Sequence, residues 1–173
     1  MNRDAFTENL LHRWTEMADR YSDDTSLIRK LFIEIESAYN STGRYYHTLS
    51  HIQYLLKLSD EFENLLHDKE IVDFSIFYHD IVYNVSRSDN EEKCALLAEG
   101  SLAQLKLPPK KVLKIVRYII ASKTHQLNEA DREADLGWFL DFDMSILGCD
   151  WETYNHYLRD VRKEYLTYPD KMY

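Results

Sequence analysis

A chain of 173 residues that is 45% hydrophobic can bury one core of ordinary size, and it lies near the typical length of a single domain. Its net charge of −9 argues against duplex nucleic acid as the main partner, because that binding depends on Lys and Arg neutralising phosphates. A small phosphorylated ligand needs only a local cluster of cations and stays open. The opening MNRDAFTENL has no apolar stretch flanked by basic residues, and no run of about 18 apolar residues occurs, so neither a signal peptide nor a membrane span is expected and the chain reads as cytoplasmic.

Only four Gly and three Pro punctuate the chain, while apolar residues recur at spacings of three and four, which predicts an all-α fold of about eight helices. The first spans residues 4 to 20 and the second 24 to 39, where Asp23, Asp24 and Thr25 offer an N-cap. Asn40-Ser41-Thr42-Gly43 forms a loop leading to Arg44-Tyr45-Tyr46-His47. A third helix carries His51, Ile52, Leu55, Leu56 and Leu58, and a fourth covers 69 to 83. Ser88-Asp89-Asn90 caps a fifth over 90 to 106, and Pro108 and Pro109 open a sixth that runs to Lys123. A shorter seventh lies at 133 to 147, and an eighth at 151 to 166 sets Trp151, Tyr154, Leu158, Val161 and Tyr165 on one face. There is no internal repeat. Cys94 and Cys149, far apart and without a C-x-x-C partner, read as reduced thiols.

Chemistry first shows in the fourth segment. From Phe74 to Tyr83 the chain reads F-S-I-F-Y-H-D-I-V-Y, apolar or aromatic on every side, and His79 and Asp80 are set into it. A carboxylate in such surroundings needs a cationic partner or a metal. His47 and His51, four apart, fall on one face if that stretch is helical. Thr48 replaces the general-base Glu of the zinc-protease pattern H-E-x-x-H, so that chemistry is excluded. Asp141 and Asp143 are acids in a further apolar stretch, F-L-D-F-D-M-S-I-L-G. Imidazoles and carboxylates of this number form a mixed nitrogen and oxygen set suited to Mn, Fe, Zn, Co or Mg.

The order H…HD…D, with Y-H-T-L-S-H, F-Y-H-D, N-E-E-K-C-A and D-F-D-M-S-I-L-G, resembles a bacterial branch of the HD superfamily of metal-dependent phosphohydrolases over residues 44 to 165. The resemblance implies a single compact HD-type helical bundle over 1 to 173. It also implies hydrolysis of a phosphate ester, of a nucleotide or another small phosphometabolite, by metal-activated water. Cyclic nucleotide phosphodiesterases, more distant relatives of that superfamily, have a similar Y-H-x-x-x-H in which the second His binds metal and the first protonates the leaving group. Carried over, this assigns His51 to the metal with His79 and Asp80, and His47 to acid catalysis. Their last ligand is an Asp followed by an apolar residue and Ser. Asp143-Met144-Ser145 is similar, which favours Asp143 over Asp141 as the fourth ligand. The second His-rich stretch of those enzymes is missing, so cyclic nucleotides are not implied.

Glu91 and Glu92 fall in the first turn of the fifth helix, where acids suit the helix dipole; the functional alternative is to orient water or hold a second ion. His125 either is a cation at a helix C-terminus or reaches a substrate phosphate or second metal. Arg44, Lys123 and Arg162 are the cations to try for phosphate binding, against plain solvation. His12, His67 and His156 receive no role. Two other functions compete: di-iron oxygenase chemistry, which usually takes two extra His between HD and the last Asp where only His125 is available, and a non-catalytic nucleotide-binding signalling module.

Overall fold

The computed structural model describes residues 3–127, 133–169 and 171. Among them the chain forms eight α-helices and no strand: α1 Arg3–Ala18, α2 Thr25–Tyr39, α3 Leu49–Glu61, α4 Lys69–Tyr78, α5 Asn90–Gln104, α6 Pro109–Ala121, α7 Ala134–Met144 and α8 Trp151–Glu164. Short 3₁₀ turns at Glu63–Leu65 and Ser145–Gly148 follow α3 and α7. The fold is all-α. No helix among the described residues is long and apolar enough to cross a membrane.

Helix α4 is the axis of the bundle, touching α3, α5, α6 and α7, and every side chain from Ile71 to Tyr78 is buried. A helix apolar all round can only be stable inside. Trp14 of α1 meets Phe74, Phe77 and Tyr78 edge-on at 5.7, 5.4 and 6.0 Å, and its indole N–H donates to the Ile28 carbonyl at 2.9 Å. The largest side chain of the core thus buries its ring without stranding its donor. Ile28, Phe32, Ile35, Leu55, Leu102, Ile115 and Phe139 bring α2, α3, α5, α6 and α7 onto the same apolar cluster.

Helix starts follow cap chemistry at two sites. Asp24 accepts from the Leu27 N–H at 2.9 Å, and Asp150 accepts from Glu152 and Thr153, both at 3.0 Å. At α5 the expected cap is absent: Asp89 holds the N-cap position, but its carboxylate is paired with Arg87 at 2.7 and 2.8 Å and with Lys93 at 3.0 Å.

Three local expectations are corrected. The fourth helix stops at Tyr78 instead of 83, so His79 is its C-cap and Asp80 lies beyond it. His47 precedes α3, whose N-cap is the extended residue Thr48, so the His47–His51 spacing is not helical. On α8, Trp151 is 71% exposed, and the residue of the helix that is fully sunk into the molecule is Glu164. Cys94 is buried and Cys149 partly so; both are free.

Candidate metal centre

The end of α4 is made by side chains rather than by a breaker residue. His79 Nδ1 donates to the Ile76 carbonyl at 2.9 Å, and the Asp80 N–H donates to the Tyr39 hydroxyl at 3.2 Å. The carbonyls of Asp80 and Ile81 accept from the Arg44 guanidinium at 2.7 and 2.9 Å, and the same guanidinium reaches the His47 carbonyl at 3.1 Å. Backbone groups that would have continued the helix are satisfied by this clamp, as buried polar groups must be. Arg44 also lies over the rings of Tyr39 and Tyr83, at 4.8 and 5.3 Å. The clamp ties the His79–Asp80 turn to the segment that carries His47.

The turn directs both side chains to His51 and Asp143. His51 and His79 face each other Nε2 to Nε2 at 3.2 Å. From His79 Nε2 it is 3.1 Å to Asp80 Oδ2 and 3.7 Å to Asp143 Oδ1; from His51 Nε2 the corresponding distances are 4.0 and 3.2 Å. Two ligand atoms each about 2.1 Å from one ion stand about 3.0 Å apart at a right angle and about 4.2 Å apart on opposite sides. These five separations fall in that interval, as a shared divalent cation requires of each of those pairs. His51, His79 and Asp80 form a group whose donor atoms all lie within 4.8 Å of one another and which could hold a metal ion. A carbonyl can only accept, so the Ile76 contact fixes the Nδ1–H tautomer of His79 and leaves the Nε2 lone pair for a metal.

The electrostatics are those of a buried cluster of opposite charges. Burial alone lowers the proton affinity of both imidazoles and wins at His51, whose pKa falls. At His79 burial is outweighed by the charges of Asp80 and Asp143, and the pKa rises well above the usual value. Burial should lift the Asp143 carboxyl, yet His79 and the hydrogen bonds from His125, His51 and His79 hold it well below its ordinary value.

Asp143 is set by α7, with Oδ2 facing His125 Nε2 at 2.9 Å. His125 has φ 50°, a left-handed conformation costly for a side chain with a Cβ, just past the end of α6. Asp141, two residues before Asp143, points to solvent.

A cavity of about 300 Å³ opens onto this centre, lined by His47, Asp80, Glu91, His125 and Asp143 and walled by Tyr46, Tyr83, Tyr157 and Tyr165. His47 turns Nε2 toward Asp80 Oδ2 at 3.8 Å and donates from Nδ1 to Glu164 Oε2 at 2.7 Å. The Tyr83 ring stacks on the imidazole at 4.3 Å. Burial lowers the His47 pKa, but the Asp80 charge and the Glu164 contact more than offset this and raise it. Glu91 lines the cavity, and its side chain makes no hydrogen bond or ion pair to another described residue.

The remaining candidates lie elsewhere. Arg44 spends its donors on backbone carbonyls and does not line the cavity. Glu92 and Lys123 pair with each other at the surface, and Lys123 also donates to the Ser88 carbonyl at 2.5 Å. Arg162 donates to the carbonyls of Tyr165 and Tyr168 at 2.8 and 3.1 Å, outside the cavity lining. A wider cleft of about 830 Å³ between α1, α3 and α4 contains none of the candidate ligands. Its Arg13, Asp60, Lys69 and Asp73 form ion pairs of 2.6 to 2.9 Å with one another.

Sequence reasoning missed Glu164 and the tyrosine walls. The available signal was register: Tyr157, Val161 and Glu164 follow one another at helical spacing, so an acid stands in the inward stripe of α8. Comparisons with family models, with curated proteins and with solved structures return no match to this chain.

Proposed function

We propose that the protein is a metal-dependent phosphohydrolase of the HD type, acting on a small phosphate ester. The observation that carries the reading is the convergence of His51, His79, Asp80 and Asp143, at imidazole–imidazole and imidazole–carboxylate distances of 3.1 to 4.0 Å, beside a cavity. Those four residues would hold a divalent ion, and when bound it supplies Lewis-acid chemistry, acidifying water and neutralising phosphoryl charge. The metal is one of Mn, Fe, Zn, Co or Mg.

The chain's own groups account for the rest. His47 lies at the cavity with Nε2 free of any backbone partner, and its raised proton affinity suits a group that arrives protonated. Water oxygen forms the new bond to phosphorus as the ester P–O bond breaks. The departing oxygen takes the proton from His47 Nε2, and the proton released by the water returns to His47 through solvent, so the cycle closes. Tyr46, Tyr83, Tyr157 and Tyr165 line the cavity beside the reacting groups. Asp143, held by His125, keeps its orientation without relying on the ion alone.

The test is a panel of phosphomonoesters offered to the protein loaded with each metal in turn, with phosphate release as the readout. Release that disappears in both Asp80→Ala and Asp143→Ala supports the reading. Release that survives in either variant, or no release from any ester with any metal, refutes it.

A further inference from the structure

Glu164 is the last residue of α8, and its side chain is fully buried. Oε1 accepts the three successive backbone N–H groups of Tyr45, Tyr46 and His47 at 2.7, 2.8 and 3.0 Å. Oε2 accepts from His47 Nδ1 at 2.7 Å and from the Tyr83 hydroxyl at 2.9 Å. Five donors converge on one carboxylate, and they belong to two segments far from it in sequence. A buried charge is tolerated only with this degree of satisfaction. Burial alone would raise the carboxyl pKa, but the hydrogen bond and charge of His47 and the backbone N–H groups bring it down to about 2.

The two oxygens do different work. Oε1 nests the loop, a duty that the carbonyl of a glutamine would also perform. Oε2 does what no amide nitrogen can: it accepts from the imidazole. An ionised carboxylate has no proton to give, so Nδ1 of His47 must carry one, and only Nε2 is left to exchange protons on the side of Asp80 and the cavity. The stacked Tyr83 ring, with its hydroxyl on the same oxygen, stops the imidazole from turning over.

We infer that Glu164 is a positioning residue for His47, holding the Nδ1–H tautomer so that Nε2 is the proton-transferring nitrogen, and that it fastens α8 over the cavity in the same contact. This rests on the acid role given to His47 above. The consequence for the reaction is that one proton moves: Nε2 gives it to the leaving oxygen while the Nδ1 proton stays on Glu164's hydrogen bond throughout. The same carboxylate holds in place the helix that supplies Tyr157 and Val161 to the cavity wall.

The experiment compares wild type, Glu164→Gln and Glu164→Asp, all loaded with zinc, by imidazole ¹⁵N resonances, metal content and hydrolysis of phenyl phosphate and p-nitrophenyl phosphate. His47→Gln identifies the His47 signals. Spectra taken at alkaline pH, where the ring is neutral, should show the Nδ1–H tautomer of His47 in wild type and in Glu164→Asp, and its loss in Glu164→Gln. Metal content should not change. Turnover of phenyl phosphate should fall about 10²-fold in Glu164→Gln, at the lower end of a general acid's contribution, with a much smaller loss on p-nitrophenyl phosphate, whose leaving group departs without a proton. Glu164→Asp should recover part of the rate. An Nε2–H tautomer in the wild-type protein overturns the inference without any variant. So does an equal rate loss on both esters with the tautomer unchanged, which would make Glu164 a fold element only. If wild type hydrolyses neither ester, the hydrolase reading loses its support, and the tautomer alone decides the role of Glu164.

Discussion

The most direct consequence of the ligand geometry is thermal, and it needs no substrate. Stripping divalent ions and adding one back should move the unfolding midpoint, because the unfolded chain does not hold His51, His79, Asp80 and Asp143 within 4.0 Å of their neighbours. A ligand that binds only the folded state at about 100 times its dissociation constant adds about 2.7 kcal/mol. For a chain of 173 residues, each kcal/mol raises the midpoint by about 2–4 °C, so the shift should be about 5–11 °C. Differential scanning calorimetry of the chelator-treated protein, with Mn, Co, Zn or Mg returned stepwise, measures it. Asp80→Ala and Asp143→Ala should abolish the response, whereas Asp141→Ala, which alters an exposed carboxylate, should retain it. A midpoint unmoved by all four metals, or a shift of the same size in Asp80→Ala, would show that these side chains satisfy one another and hold no ion.

Three further outcomes follow from named contacts. Arg44→Ala strips the donors from the carbonyls of His47, Asp80 and Ile81, and should cost about 1–3 kcal/mol in urea unfolding and weaken metal retention; a higher KM with unchanged stability would instead return Arg44 to phosphate binding. His47→Ala should keep its metal, by elemental analysis, while losing about 10²- to 10⁴-fold in turnover of esters with poor leaving groups; loss of the ion would make His47 a ligand. Glu164 is held at about 2 in the folded protein against an ordinary value of 4.5, so the unfolded chain takes up its proton first. The stability it contributes is complete above about pH 5 and is lost as the pH falls from 4.5 toward 2, at a rate of at most about 1.4 kcal/mol per unit. Urea titrations of the metal-free protein at pH 5 and pH 3 should therefore show the gap between wild type and Glu164→Gln closing on acidification, and a constant gap would refute the assignment.

Helix type was legible because it is a local property. Apolar spacing of three and four, two prolines at the start of α6 and an aspartate before α2 and α8 act within a few residues of where they stand, and the eight helices follow from them. The candidate ligands were accessible for a related reason: an acid such as Asp80 or Asp143 inside an apolar run is locally anomalous, and the anomaly marks it whatever its partner. What stayed hidden is what aims the ligands. Nothing near residue 79 announces that α4 ends there, since no Gly or Pro follows for several residues, and the stop is imposed by Arg44, 36 positions upstream, and by Tyr39, 41 positions away.

The same distance separates His47 from the residue that defines it. Its hydrogen-bond partner lies 117 positions further on, at the end of a helix whose apolar face seemed complete without it. The three arginine and lysine candidates were judged by charge, yet two of them, Arg44 and Arg162, direct guanidinium donors at backbone carbonyls, which composition does not reveal. A ligand is a matter of residue type, but its direction is fixed by which buried backbone groups need a partner once distant segments meet. Glu164 shows the rule in its strongest form. Its three bonds to the backbone at 45 to 47 are required by the loop, and the fourth, to Nδ1, is the one that gives His47 a single reactive edge. Folding demand and chemical role therefore meet in one carboxylate, and separating them takes a substitution that keeps an acceptor for the three backbone N–H groups and removes the one for Nδ1, which Glu164→Gln does.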